Sequence, residues 1–153
     1  MAMDLLNPLF SSIVSLDIFA PAQKFSIGGF KYVKDRGYAF EQKLNSNSGD
    51  MLNNQLKDYQ AAEKAATIPL MIFNSTITRD GRRMMISTQP ISFMMKPLLY
   101  ANDSTASPDA ADFTAMFSKQ DPLNIRFLTA LRMNATFPYI LPNVWLPSDP
   151  VID

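Results

Sequence analysis

LNIRFLTALRMNATFPYILP, the stretch from Leu123 to Pro142, predicts a buried helix that ends at a turn bounded by prolines. Apolar residues would cover nearly every side of this helix, which is typical of a helix inside a domain. Asp121 can cap its N-terminus, Pro122 suits its first position, and Pro138 cannot continue it. We therefore expect the rest of the chain to pack around this helix. Its apolar residues are Leu123, Ile125, Phe127, Leu128, Ala130, Leu131 and Met133.

The composition is that of a globular domain large enough to bury a core. The chain has 153 residues, of which 47% are hydrophobic and 18% are charged. Its 14 basic and 14 acidic residues cancel, which argues against a nucleic-acid surface. No apolar run reaches the roughly 18 residues of a transmembrane helix. Asp4 stands where a signal peptide would carry a basic residue, so we expect a location inside the cell or at a membrane surface.

The sequence contains neither histidine nor cysteine. This excludes zinc sites of the usual ligand set, Ser-His-Asp and Cys-His triads, and an imidazole general base within these residues. It also excludes a disulfide framework. An enzyme built from this chain alone would need carboxylates, lysine, tyrosine or a hydroxyl group with a carboxylate partner. No metal and no cofactor is predicted.

Three helices are predicted before the first long strand. The first covers the segment from Met1 to Ala20, and a loop with a turn at Gly28-Gly29 follows it. The second, residues 32–44, and the third, residues 51–66, are amphipathic. Val33, Gly37, Phe40 and Leu44 form the predicted apolar face of the second helix, and Leu52, Leu56, Tyr59, Ala62 and Ala66 form that of the third. Glu41 and Glu63 are assigned to the solvent-facing sides.

A β-hairpin is predicted from Ile68 to Thr88. Its first strand begins with the apolar run IPLMIF, and its turn lies at Arg79-Asp80-Gly81-Arg82. Asp80 could be proposed as a catalytic acid. The turn by itself accounts for an Asp-Gly pair, so the turn is the favoured interpretation.

An irregular region follows the hairpin. Residues 93–100 form an apolar cluster, and residues 102–112 read as an exposed polar loop. The ten methionines of the chain have two possible explanations: they fill an irregular core, or they adapt a surface to apolar ligands. Filling of a core is the favoured alternative.

The order of these features resembles the second half of a patatin-like phospholipase domain. Residues 68–76 resemble the core strand of that family, and a return strand follows RDGRR at 79–83. ALRMNATFPYILP, at 130–142, is similar to the family block A-x-x-x-S-x-A-x-P-x-x-F-P, with Asn134 where serine is common. Val151, Ile152 and Asp153 lie about where the family approaches its catalytic D-G-G or D-G-A.

This resemblance implies a fold and an activity. The fold is a partial three-layer α/β/α sandwich of patatin type, with residues 1–153 forming a single partial domain. The activity is lipid acyl hydrolysis by a Ser-Asp dyad, in which the serine attacks an ester and backbone N–H groups stabilise the oxyanion. The expected partner is a lipid or acyl-ester substrate of the longer protein, with contact at a membrane surface and no nucleic acid.

The motifs that would carry this chemistry are absent from the chain. No serine lies in a G-x-S-x-G elbow, and no glycine-rich oxyanion loop is present. Asp80-Gly81 is followed by Arg82, and the catalytic acid would be Asp153 or a residue beyond it. No catalytic residue is therefore assigned, and the chain alone is expected to be an inactive fragment. The alternative is a non-catalytic module that binds an apolar ligand or a protein through residues 93–100.

Overall fold

A computed structural model of the chain describes Asn7, Ser11 and residues 23–96, 108–136 and 141–146. The described residues mix helices with two small sheets, so the predicted α/β class is confirmed. The chain divides into two compact units, Met1–Gln55 with Asn124–Asp153, and Leu56–Leu123. In chain order the elements are β1 (Lys24–Ile27), β2 (Phe30–Val33), α1 (Arg36–Asn47), α2 (Leu56–Lys64), β3 (Ile72–Thr76), β4 (Arg83–Ser87), β5 (Ala110–Asp112), α3 (Phe113–Met116) and α4 (Phe127–Asn134).

The first unit contains an antiparallel hairpin of β1 and β2, in which Ile27 pairs with Phe30. The prediction of a loop here was wrong, and the helix predicted over residues 32–44 is confirmed but starts later, at Arg36. The predicted Gly28-Gly29 turn is confirmed, with φ of 61° and 87°. Two successive residues with positive φ give the tight turn that matches the twist of a hairpin. Asn7 and Ser11 are helical, and the rest of the helix predicted from Met1 to Ala20 lies outside the described residues.

Helix α1 begins after Asp35, whose carboxylate caps the helix by accepting a 2.9 Å hydrogen bond from the backbone N–H of Tyr38. The predicted buried face of α1 is right only at Gly37, whose close packing is confirmed. Gly37, Glu41 and Asn45 are its buried residues, whereas Val33 lies in β2 and is 38% exposed. Glu41, assigned to solvent from the sequence, therefore points into the protein. The buried face is polar because it meets the arginines that flank and lie within α4.

Helix α4 is the central helix expected from the sequence, and its burial is confirmed. It starts at Phe127, later than predicted, and Asp121 does not cap it but adopts a left-handed conformation with φ of 48°. Arg126 forms a β-bridge with Gln55, and the N–H of Phe127 donates to the carbonyl of Asn54 at 2.9 Å. The backbone before Phe127 is therefore extended, and the helix starts only after it. The buried residues of α4 are Phe127, Leu128, Thr129, Ala130 and Arg132.

The second unit is built on a sheet in the order β3-β4-β5. Strands β3 and β4 form the predicted antiparallel hairpin, while β5 pairs with β4 in parallel. The first strand starts at Ile72 rather than Ile68, because Pro69 has no N–H to donate and Leu70 is 51% exposed. The core of this unit contains Leu56, Phe73, Met84, Met85, Ile86, Ile91, Ala110 and Phe113.

Three further expectations for the second unit need correction. Helix α2 is shorter than predicted, and it buries Glu63, which the sequence assigned to solvent. The predicted polar loop at 102–112 is described only from residue 108, and Ala110–Asp112 is a strand. Phe93 is 79% exposed, whereas Met95 packs against the core. The rest of the predicted apolar cluster, residues 97–100, lies outside the described residues.

No helix among the described residues is long and apolar enough to cross a membrane.

Candidate functional site

A buried ion pair joins α1 to the residue before α4. Arg126 donates from Nη1 to Oε2 of Glu41 at 2.7 Å, and the two side chains are only 4% and 3% exposed. The hydroxyl of Thr129 lies 3.4 Å from the second oxygen of Glu41. Because removal of two charges from water is costly, such a pair persists only where good geometry compensates for desolvation.

Arg132 extends this pair into a network. Its Nη2 donates to Asp35 and to the carbonyl of Pro142, both at 2.9 Å, and its Nη1 lies 3.6 Å from Glu41. The guanidinium occupies the space where another residue at position 37 would place a side chain: a Cβ on Gly37 would lie 1.8 Å from Cζ of Arg132. One arginine thus ties the start of α1 and the segment after α4 to α4 itself.

Aromatic rings surround the other guanidinium. The Cζ of Arg126 lies 5.5 Å from the ring centres of Phe25 and Tyr32 and 5.8 Å from that of Tyr38. At these distances the faces of the rings attract the cation. The backbone N–H of Arg126 also donates to the hydroxyl of Tyr32 at 3.2 Å. Burial raises the pKa of Tyr32, and the hydrogen bond and charge of Arg126 oppose this rise.

Burial raises the pKa of Glu41, while the charges of Arg126 and Arg132 oppose the rise. The sign of the pH dependence follows from this direction. Between the ordinary value of 4.5 and the higher pKa of the folded protein, the folded state holds a proton that the unfolded chain has released. The stabilisation from Glu41 is therefore complete below the ordinary pKa and is lost as pH rises through the folded pKa.

We expect the substitution Glu41→Gln to remove this pH dependence. Urea unfolding measured in steps from acidic to neutral pH should show the native protein losing stability relative to the variant as pH rises. The amide keeps an acceptor oxygen for Arg126 but has no proton to release. Parallel curves for the two proteins across the whole range would contradict a raised pKa.

The network forms one side of a cleft in the first unit. The cavity has a volume of about 70 Å³, and apolar residues from β2 and from the segment after α4 form much of its lining. Trp145 lies at this cleft with 90% of its surface exposed. No serine is among the described residues that line it. The carboxylates present, Asp35 and Glu41, both pair with arginines. The arrangement fixes the start of α1 and the segment after α4 to α4.

A second buried carboxylate lies in the other unit. Glu63 accepts a hydrogen bond from the hydroxyl of Thr88 and another from the backbone N–H of Met71 at 3.4 Å. The amide of Gln60 donates to the carbonyl of Thr88 at 2.9 Å. These bonds connect α2 to the end of β4 and to the segment before β3, which gives Glu63 a structural role.

Neither Asp80 nor the Gly28-Gly29 pair is among the residues that line the cleft. Asp80 is exposed in the hairpin turn, where it accepts from the backbone N–H of Arg82 at 3.1 Å and from its Nε at 2.8 Å. These bonds to Arg82 hold the pKa of Asp80 below its ordinary value. Gly28-Gly29 is a turn, and Asp153 lies outside the described residues. No group of three or more metal-ligating side chains occurs in the part of the chain that the structure describes.

Sequence reasoning missed the network residues Glu41, Arg126 and Arg132. A signal for them existed, because two arginines flank or lie within a helix that is otherwise apolar. Charges in such a helix must pair inside the protein, which points to a buried carboxylate elsewhere in the chain.

No protein-family model matches the chain, and no curated protein or solved structure matches it significantly.

Proposed function

We propose that this chain forms the second half of a patatin-like domain and serves as the scaffold of a lipid acyl hydrolase. The observation that carries the proposal is that the block from Ala130 to Pro142 begins on a buried helix. In the proposed family this block is part of the core, so it must start on a buried element. The hairpin of β3 and β4 precedes this helix in the order that the resemblance implies. The three-layer sandwich of patatin type is part of the same proposal.

The geometry of the first unit supports a scaffold role. Arg132 bonds the carbonyl of Pro142, so the network fixes the segment that leads away from α4. In the proposed domain this segment runs toward the catalytic acid. Where the structure describes the lining of the cleft beside it, no serine occurs, and the chain has no G-x-S-x-G elbow. The nucleophile of the proposed enzyme therefore belongs to other parts of the domain.

Labelling with a fluorophosphonate probe tests this proposal. We expect no labelling and no hydrolysis of short acyl esters by residues 1–153, and labelling of a longer product of the same reading frame. The expected site of labelling is a serine in a G-x-S-x-G elbow, located by mass spectrometry and abolished by its replacement with alanine. Absence of labelling in both proteins, or labelling within residues 1–153, would overturn the proposal.

One observation favours a second candidate, a non-catalytic interaction module. Phe93 is 79% exposed and Met94 is 36% exposed, and they follow each other on a short 3-10 turn, Ser92–Met94. Adjacent exposed apolar side chains of this kind suit an apolar ligand or a protein partner. Absence of labelling in the longer protein would favour this candidate, and the substitution Phe93→Ser would then weaken its interaction without changing stability.

A further inference from the structure

The hairpin of β1 and β2 is a sheet of two strands, so each strand has one edge without a partner strand in the part of the chain that the structure describes. The N–H of Lys34 donates to the carbonyl of Gln23 at 2.8 Å, which makes these two residues a hydrogen-bonded pair. In an antiparallel ladder such pairs alternate with pairs whose N–H and C=O groups point away from each other. The next pair, Lys24 with Val33, and every second pair after it therefore direct their backbone groups to the outer edges of the hairpin.

The outer edge of β1 presents the backbone groups of Lys24 and Ser26. Among the residues that the structure describes, the N–H and C=O groups of these two residues have no hydrogen-bond partner. Both residues are exposed, and Ile27 beside them is 40% exposed. An exposed row of unpaired N–H and C=O groups is a template on which another strand can pair.

The outer edge of β2 is less suited to this use. Its outward backbone groups belong to Lys31 and Val33, and every residue of β2 lines the cleft beside the segment after α4. The cavity there has a volume of only about 70 Å³, which is too small for an added strand. The open edge of the hairpin is therefore that of β1.

The two faces of the hairpin indicate which side chains a partner strand would carry. One face has Lys24 and Lys31, neither of which forms an ion pair within the described ranges. The other face of β1 has Phe25 and Ile27. Residues 24–34 include three lysines and no acidic residue. Because like charges on neighbouring strands repel and opposite charges attract, this edge disfavours a second copy of the hairpin and favours an acidic strand.

We propose that the outer edge of β1 binds an extended acidic segment of another protein by strand addition, which turns the hairpin into a sheet of three strands. The backbone groups of Lys24 and Ser26 bond the added strand. Its acidic side chains lie on the face of the lysines, and its apolar side chains lie beside Phe25 and Ile27. In this mode of binding the backbone bonds supply affinity and the alternating side chains supply specificity. The binding does not depend on the proposed hydrolase activity.

Amide hydrogen exchange measured by NMR tests the proposal with two peptides. The probe is the heptapeptide Thr-Glu-Val-Glu-Val-Glu-Thr with blocked ends, and the control is the same peptide with its central amides N-methylated, so that it cannot complete the ladder. We expect half-saturation by the probe at about 1 mM, since a few backbone bonds are partly offset by the cost of ordering the peptide. At about 10 mM, exchange at the amides of Lys24 and Ser26 should slow about tenfold, because only about one protein in eleven is then free. The amides of Lys31 and Val33 should exchange as before, and the methylated peptide should protect neither edge.

Proline substitutions on the two edges provide matched variants. Ser26→Pro removes an outward N–H of β1 without removing a bond of the hairpin, so it should weaken binding at least about tenfold, followed at the amide of Lys24. Val33→Pro removes the equivalent N–H of β2 and should bind like the native protein. Lys24→Gln leaves the backbone intact and should weaken binding about fivefold, the loss expected for one nearby charge in water.

Three results would overturn the proposal: protection by the methylated peptide, equal protection of both edges, or no saturable protection up to about 10 mM probe. Equal binding by two folded proline variants would overturn it as well. If the proline variants do not fold, Lys24→Gln decides, and native affinity in that variant would contradict the role of the lysine face. None of these outcomes bears on serine labelling, so the two proposals fail separately.

Discussion

Arg126→Met should lower the free energy of unfolding at neutral pH by about 3–5 kcal/mol, the cost of leaving a buried charge without its partner. Arg132, at 3.6 Å, would then be the positive charge that remains beside Glu41 among the residues that the structure describes. A loss of this size is a large part of the stability of an ordinary domain. Because Glu41 can take up a proton, the loss should shrink toward pH 4.5, the ordinary pKa of glutamate. Urea unfolding at several pH values measures both effects.

Two comparisons separate the buried pair from a general effect of removing arginine. Arg83 pairs with Asp109 at 2.6 Å, but both side chains are about half exposed, so Arg83→Met should cost less than about 1 kcal/mol. The double substitution Arg126→Met with Glu41→Met should recover most of the stability, since apolar residues can replace a buried ion pair. A double variant no more stable than Arg126→Met would show that the pair itself is not what the single substitution disrupts.

Gly37→Ala should also destabilise the protein, by about 2–4 kcal/mol, although alanine is ordinarily the better helix residue by about 0.5–1 kcal/mol. The added Cβ would lie 1.8 Å from Cζ and 2.1 Å from Nε of Arg132. The guanidinium would have to move, which breaks its bonds to Asp35 and to the carbonyl of Pro142. Thermal or urea unfolding of the variant measures the loss.

A double-mutant cycle with Arg132 tests this cause. In the background Arg132→Ala the space beside Gly37 is empty, so Gly37→Ala should become neutral or stabilising, by up to about 1 kcal/mol. A loss that persists in this background would mean that the methyl group meets some other part of the protein. Ser46→Ala, at an exposed position of α1, controls for helix propensity and should change stability little.

Gly37→Ala and Arg132→Ala bear on the proposed function because each breaks the bond that holds the segment after α4. Arg132 is the side chain that bonds both Asp35 and the carbonyl of Pro142. If the proposed domain runs from this segment to its catalytic acid, correct placement of the acid depends on the network. The network is then a positioning device and takes no part in the reaction.

Much of the local structure follows from the sequence. The Asp-Gly turn, the strands on either side of it and the buried central helix were predictable, because turn chemistry and apolar runs act over a few residues. The composition alone excludes any chemistry of these residues that needs a cysteine or histidine side chain. The start of α4 was not predictable, because a bridge between Gln55 and Arg126 sets it, whereas Pro69 could have indicated the later start of β3.

The sequence by itself thus determined the α/β class, the hairpin and the place of α4 in the core. Only the tertiary structure decided which face of α1 is buried, and the decision went against the apolar pattern. Glu41 enters the protein because Arg126 and Arg132, far away in the chain, must be neutralised where α4 buries them. A periodicity within one helix contains no information about such a partner, since the energy of a buried charge depends on which opposite charge the fold brings beside it.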